Sequence, residues 1–297
     1  MYHILCHTQY TCQDLLWTKV KNTAVLLLSI PMRLARKGAV AAVSQFLIAH
    51  NGAVLHSDDH LDQGRDLLLT RLEWDLDGFQ IPIADFERDF RALVERFEIN
   101  YHLALTGYRP KIAILVSAET HCLADLLYRH STGELACEIV AIFSNHSTAR
   151  PLANFHGVPF HVLESSAEIL NLLHPDLDLI VLARYMQILS PEFVAQYLLR
   201  MINIHHSFLP AFAGSKPYHQ AYERGVKLIG ATSHYVTAIL DEGPIIEQDV
   251  VRVSHRDTLD DMLSKGRDLE KVVLSRAVRW HLENRVLVYQ NKTVVFV

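Results

Sequence analysis

The spacing of apolar and polar positions divides the chain in two. Ala24 to Ile30 is an unbroken apolar run of β character, and a basic loop follows it as far as Gly38. Ala39 to Ile48 reads as a helix stopped by Asn51-Gly52. Strand-like runs come next at Ala53 to Ser57 and Asp66 to Glu73. Then Ile83, Phe86, Phe90, Leu93, Val94 and Phe97 recur at helical spacing. Glu98 to Leu105 closes the unit as a strand, so residues 23–105 predict a ferredoxin-like βαββαβ order. Residues 1–22 have no clear period and read as an N-terminal extension.

Residues 106–110, Thr-Gly-Tyr-Arg-Pro, make a linker in which Gly and Pro bracket a basic turn. Beyond it Lys111 to Ser117 is an apolar strand of the kind covered on both faces in a parallel sheet. Helical segments then alternate with strands: Leu123 to Arg129, Glu138 to Phe143, His161 to Leu163, Ala167 to Leu173, Leu177 to Leu182 and Glu192 to Leu199. This βα repetition predicts an α/β fold with a doubly wound, mostly parallel sheet over residues 111–297. Leu259 to Arg285 reads as a long helix interrupted near Gly266, and Val286 to Val297 as a hairpin around Gln290-Asn291-Lys292. Both are assigned to scaffold.

Composition narrows the function. Half of the residues are apolar, 21% are charged, and the formal net charge is -5, which argues against a nucleic-acid partner. Cys6, Cys12, Cys122 and Cys137 form no C-x-x-C pair, none of the 18 histidines forms H-E-x-x-H, and the adjacent His205 and His206 cannot both face one metal from a strand, so no metal site is expected. No apolar run reaches membrane-spanning length and no secretory leader is recognisable, so the expected compartment is cytoplasmic.

Chemistry concentrates in Asn203-Ile204-His205-His206-Ser207-Phe208-Leu209-Pro210. In a strand Asn203 and His205 share one face and His206 points the other way. An amide and an imidazole at the carboxyl end of a strand can polarise a carbonyl and move a proton, or simply satisfy backbone groups. A second stretch runs from Gly230 through His234-Tyr235-Val236-Thr237 to Asp241-Glu242-Gly243-Pro244, which sets a carboxylate at a turn between two apolar strands. The first turn of the second sheet, Ser117-Ala118-Glu119-Thr120-His121-Cys122, has no glycine and carries a carboxylate. A dinucleotide or phosphate site there is disfavoured.

Asn-x-His-His-Ser-x-Leu-Pro, then His-Tyr-Val, then Leu-Asp-Glu-Gly-Pro-Ile-Ile, together with Leu182 to Ser190 and Lys216 to Tyr222, resembles the folate-dependent formyltransferase and hydrolase superfamily, nearest its deformylase branch. The likeness runs from about Tyr101 to Val297. It implies a formyltransferase-like catalytic fold and, for residues 23–105, an ACT unit, a module that often binds amino acids at a dimer interface. The activity implied is hydrolysis of 10-formyltetrahydrofolate to formate and tetrahydrofolate. Formyl transfer to an amine acceptor is the alternative, and a non-catalytic folate sensor or store is a third reading, against which intact Asn203, His205 and Asp241 speak.

By the same resemblance Asn203 would donate to the formyl oxygen, His205 would shuttle the proton, and Asp241 would hold water or the imidazole. Arg184, Met186, Gln187, Ile188, Leu189, His206, His234 and Thr237 would line the substrate site. Met186 and Leu189 would read as core without it. His206 stands where the transferase motif often has proline, and its bulk would narrow an acceptor channel to the size of water. No cofactor beyond the folate is implied. The implied partners are the folate, an amino-acid effector at the ACT unit, and further copies of the chain in a dimer or tetramer, with no nucleic acid and no membrane. The first ACT loop departs from its pattern: Ile30-Pro31-Met32 lacks the expected Asp, which argues against a bound effector.

Overall fold

A computed structural model of the protein describes residues 22–174, 176–211 and 217–297. The extension up to residue 21, and the part of the loop after Pro210 that spans residues 212–216, lie outside the described residues. The first unit contains β1 (Thr23–Pro31), α1 (Met32–Ala35), α2 (Ala39–Ala49), β2 (Ala53–Asp62), β3 (Leu67–Asp75), α3 (Ile83–Phe97) and β4 (Asn100–Leu105). Its four strands are antiparallel in the order β2-β3-β1-β4, the ferredoxin-like arrangement.

β1 is apolar throughout because both of its faces are covered. Leu26, Leu28 and Ile30 face α2 and α3, where they pack with Val43, Leu47, Phe86 and Phe90. Val25 and Leu27 point the other way, onto a C-terminal hairpin. β2 extends well past the expected Ser57 because it is an edge strand that exposes nearly all of its side chains, so its His-Ser-Asp-Asp-His run carries no apolar alternation. The expected basic loop likewise begins with the short helix α1, anchored by buried Met32 and Leu34.

The second unit continues with β5 (Lys111–Val116), α4 (His121–Ser131), β6 (Glu138–Ser144), α5 (Arg150–Phe155), β7 (Phe160–Val162), α6 (Ser166–Leu172), β8 (Leu179–Ala183), α7 (Pro191–Gln196) and β9 (Met201–His205). Then come α8 (Pro217–Arg224), β10 (Leu228–Tyr235), β11 (Ile245–Arg252), α9 (Leu259–Leu282), β12 (Val286–Tyr289) and β13 (Lys292–Val295). Seven strands form one sheet in the order β11-β10-β9-β8-β5-β6-β7. β5 to β9 pair in parallel, and β10 and β11 are antiparallel. The order reverses between β5 and β8, and open α/β sheets take their ligands at the carboxyl ends of the strands beside such a reversal. Among the described residues no helix is long and apolar enough to cross a membrane.

Three expectations need correction. α5 has no counterpart in the sequence pattern, since six residues opened by Arg150-Pro151 are too short to show a period. α7 stops at Gln196 rather than Leu199, whose own φ of 58° lies outside the helical region. Finally, α9 is not interrupted at Gly266: it runs unbroken for 24 residues from a Thr258/Asp261 capping box. The glycine is there for packing. A Cβ on it would lie 2.3 Å from Cζ and from the hydroxyl of Tyr218.

The hairpin β12–β13 is more than scaffold for its own unit. Leu287 and Phe296 pack against Val25, Leu27 and Leu69 of the first sheet, and Tyr289 donates to Asp62 at 3.0 Å. Its other side holds the turn before β11, where Asn291 donates to the Glu242 carbonyl at 3.0 Å and Thr293 donates to that of Ile245.

Replacing Gly266 by Ala tests the packing claim. In a free helix Ala would add up to about 1 kcal/mol, but against a buried ring overpacking costs roughly 1–3 kcal/mol. The Gly266→Ala variant is expected to unfold at lower urea than the wild type, and a midpoint equal or higher would show that the ring yields.

Candidate active site

Three chain segments meet at the carboxyl ends of the central strands. After β5 the Ser117 N–H donates to the Arg184 carbonyl at 3.2 Å, while its hydroxyl accepts from Met186 N–H at 3.0 Å and donates to Asn145 at 2.8 Å. One serine thereby ties together the ends of β5, β6 and β8. Arg184 adopts φ 62°, an uncommon conformation for a side chain of its size, and the chain turns sharply there.

β9 delivers Asn203 and His205, and antiparallel β10 sets His234 directly opposite Asn203. His234 Nδ1–H donates to the Tyr235 carbonyl at 2.8 Å, so the neutral ring offers Nε2 as an acceptor to the Asn203 amide 3.2 Å away. The amide is thereby oriented, and its second N–H is left to point elsewhere. The loop between β10 and β11 folds back to bring Asp241 Oδ1 within 3.2 Å of His205 Nδ1 and 3.7 Å of His234 Nε2. Only the shorter of these is a hydrogen bond.

Two backbone features make this approach possible. Asp241 has φ 57°, a left-handed conformation that Asp and Asn tolerate better than other side chains. Gly243 lies flat against the end of β10: a Cβ there would meet the Tyr235 carbonyl oxygen at 1.7 Å. Tyr235 N–H closes the loop by donating to the Pro244 carbonyl at 2.9 Å.

Hydrogen bonding by His205 holds the Asp241 carboxyl far below the usual carboxylate range. The imidazole of His205 is buried, with Nδ1 committed to Asp241, and among the described residues its Nε2 meets no hydrogen-bond partner. A carboxylate, an imidazole with one free nitrogen and a primed amide form a constellation that can move one proton and stabilise one developing oxyanion.

The structure thus brings Asn203, His205, His234 and Asp241 together, with the His206 ring centroid 5.2 Å from that of His205. Burial first, and the nearby Arg184 charge second, push His206 down to about 4. The remaining expected lining residues are dispersed. Met186 and Ile188 are exposed on the rim, Gln187 accepts from the Tyr185 hydroxyl at 3.0 Å, and Thr237 donates to the Ile239 carbonyl at 3.1 Å. Leu189 is buried in the core beside Phe193 and Tyr197, and Arg184 turns its guanidinium toward Glu270, Nε to Oε2 3.4 Å.

Glu270, Tyr218 and His121 are absent from the sequence-derived set. Glu270 sits on the apolar face of α9 in the series Met262, Gly266, Glu270, Leu274, Val278, all buried at four-residue spacing. A carboxylate on such a stripe is the available signal.

A sheet reversing between β5 and β8, with an amide, an imidazole and a carboxylate at its carboxyl edge, defines a formyltransferase-like catalytic unit, and the sequence model of the family described as Formyl transferase matches residues 110–278. Relatives extend the match beyond that unit. A formyltetrahydrofolate deformylase from Synechocystis is 49% identical over 283 residues, covering 92% of this chain and 98% of its own. The crystal structure of a formyltetrahydrofolate deformylase from Pseudomonas syringae superposes with a TM-score of 0.90 at 44% identity, over 96% of this chain and 98% of that one. By contrast, a glycinamide ribonucleotide transformylase from Symbiobacterium toebii, 28% identical with a TM-score of 0.62, covers 66% of this chain and 98% of its own. The chain belongs to the formyltetrahydrofolate deformylase family.

Burial of two histidines, His206 in the site and His281 at the end of α9, has a consequence for pH. His206 and His281 are both pushed from 6.5 to about 4, chiefly by burial. Between those values the unfolded chain binds protons that the folded chain refuses, so stability falls as pH is lowered through that window. Asp241 acts in the same direction at the acid end, since its carboxyl stays ionised in the folded chain while the unfolded chain begins to protonate it as pH approaches 3.8. The expected loss is on the order of 3 kcal/mol per histidine at the acid end. Urea midpoints taken at intervals from pH 7 to pH 4 would show it, and a flat profile would contradict it.

Proposed function

We propose that the chain is a hydrolase that converts 10-formyltetrahydrofolate to formate and tetrahydrofolate, with water as the only acceptor. The observation that carries this reading is the buried His205 imidazole, bonded to Asp241 through Nδ1 and with Nε2 free of partners among the described residues, beside the oriented Asn203 amide. Water attacks the formyl carbon. The negative charge that builds on the formyl oxygen is met by the Asn203 N–H, a contact of a type typically worth about 3 kcal/mol. His205 Nε2 takes the proton from the attacking water and returns it to the folate nitrogen as the carbon–nitrogen bond breaks, and Asp241 steadies the ring while it carries that proton. His234 fixes the amide and does not itself touch the reacting atoms.

The folate would lie along exposed apolar side chains of two loops, Met186 and Ile188 after β8 and Ile239 and Leu240 just before Asp241. The relatives named as deformylases match over both units. The transformylase from Symbiobacterium toebii matches over about two-thirds of the chain, so the extra N-terminal unit goes with deformylase in this comparison. We assign that unit a regulatory or assembly role. A cavity of about 1610 Å³ lies between the two units, lined among others by Arg71, Glu73, Arg279 and His281. Asp241 is not among its lining residues, and it is a place where an effector would act on the interface rather than on the chemistry.

Formate release from 10-formyltetrahydrofolate by the purified chain tests the assignment. Asn203→Ala and Asp241→Asn are each expected to lower kcat by roughly a hundredfold or more. The second should keep the fold, since Asn accepts the left-handed backbone at position 241. Wild-type rates in either folded variant would refute these roles.

A further inference from the structure

On one side of His205 stand Asn203, His234 and Asp241. Beyond His206 lies a second group of polar side chains that the proton shuttle does not use. Glu270, almost completely buried in the middle of α9, is its centre. Oε1 accepts from the Tyr218 hydroxyl at 2.8 Å, and Oε2 faces His121 Nε2 at 2.7 Å and Arg184 Nε at 3.4 Å. Four separate elements supply these groups: the start of α4, the turn after β8, α8 and α9. The Tyr218 ring lies 6.1 Å from that of His206, which in turn lies 5.2 Å from His205. The network therefore reaches the catalytic imidazole through a continuous line of rings.

Burial alone would raise the Glu270 carboxyl, yet His121 and Arg184 keep it below its ordinary range. A buried ion pair of this kind adds little stability compared with apolar residues of the same volume, so its use is to fix geometry. A resident cation is a poor alternative. His121, Cys122 and Glu270 do converge, but the Arg184 guanidinium already neutralises the carboxylate, and burial holds the Cys122 thiol well above its usual value.

We infer that this network is a plug: Glu270 is a positioning residue that holds Tyr218, His121 and Arg184, with His206 in front of them, across the acceptor side of the crevice, so that water reaches the formyl carbon and an amine does not. The inference rests on the hydrolase reading and names what enforces it. With the folate read along the exposed side chains Met186, Ile188, Ile239 and Leu240, the flank beyond His206 is assigned to the second substrate as part of this inference. Gly266 has no room for a side chain because the Tyr218 ring is pressed onto α9, so the plug is seated rather than mobile. With the plug removed, an amine nitrogen would bond to the formyl carbon, the bond to the folate nitrogen would break, and the amine proton would pass through His205 to that nitrogen.

The test is a partition measurement. Folate carrying a ¹³C-formyl group is turned over in the presence of rising concentrations of glycinamide, and NMR reads the ratio of N-formylglycinamide to formate. The wild type is expected to give formate at every concentration. Tyr218→Ala should raise the ratio at least tenfold, whereas Tyr218→Phe, which keeps the ring, should hold the wild-type ratio. If Tyr218→Ala does not fold, His121→Ala opens the same flank and is read the same way. A folded opening variant with an unchanged ratio overturns the inference, and so does one that loses both products, because the network would then belong to the hydrolytic machinery. Wild-type enzyme that formylates glycinamide and releases no formate would instead overthrow the hydrolase reading itself.

Discussion

The contact between Asp241 Oδ1 and His205 Nδ1 is the constraint to which the rest of the catalytic unit answers. It requires a carboxylate on a loop to reach a buried imidazole on a neighbouring strand. The loop does so by taking a left-handed step at Asp241 and by laying Gly243 against the Tyr235 carbonyl, where no other residue fits. Because β10 runs antiparallel to β9 it ends beside Ile202, at the amino end of that strand, so the loop before β11 has to fold back along the strands for Asp241 to reach His205.

Around this contact the molecule is arranged in support. Ser117 binds three strand ends into one rim, and the C-terminal hairpin braces the Asp241 loop from behind while its other face lies on the N-terminal sheet. That hairpin gives the two units a mechanical connection that ends at Glu242, next to Asp241.

Much of this is legible in the sequence, and the parts that are not have physical causes. Amide, imidazole and carboxylate stand in compact motifs at strand ends, so Asn203, His205 and Asp241 can be read directly, and both sheets follow from apolar runs too long or too regular to be chance. Leu189 cannot be told from core, because an apolar residue reads the same in a pocket wall and in a protein interior. Gly266 reads as a break because propensity is local, whereas its reason is the ring of Tyr218, far back in the sequence on another helix. Glu270 is hidden for a similar reason: its partners come from three distant segments, and only the folded chain brings them to one carboxylate.

The proton transfer proposed for His205 turns on which of its nitrogens carries the proton in the neutral ring. Neutral imidazole in water prefers Nε2–H, whereas the Asp241 contact demands Nδ1–H and leaves Nε2 as the base. Nitrogen-15 NMR of the histidine-labelled protein reads this directly. Neutral His205 is expected as the Nδ1–H tautomer in the wild type, with a return to Nε2–H in Asp241→Ala. An Nε2–H ring in the wild type, or a tautomer that ignores the loss of Asp241, would contradict the shuttle.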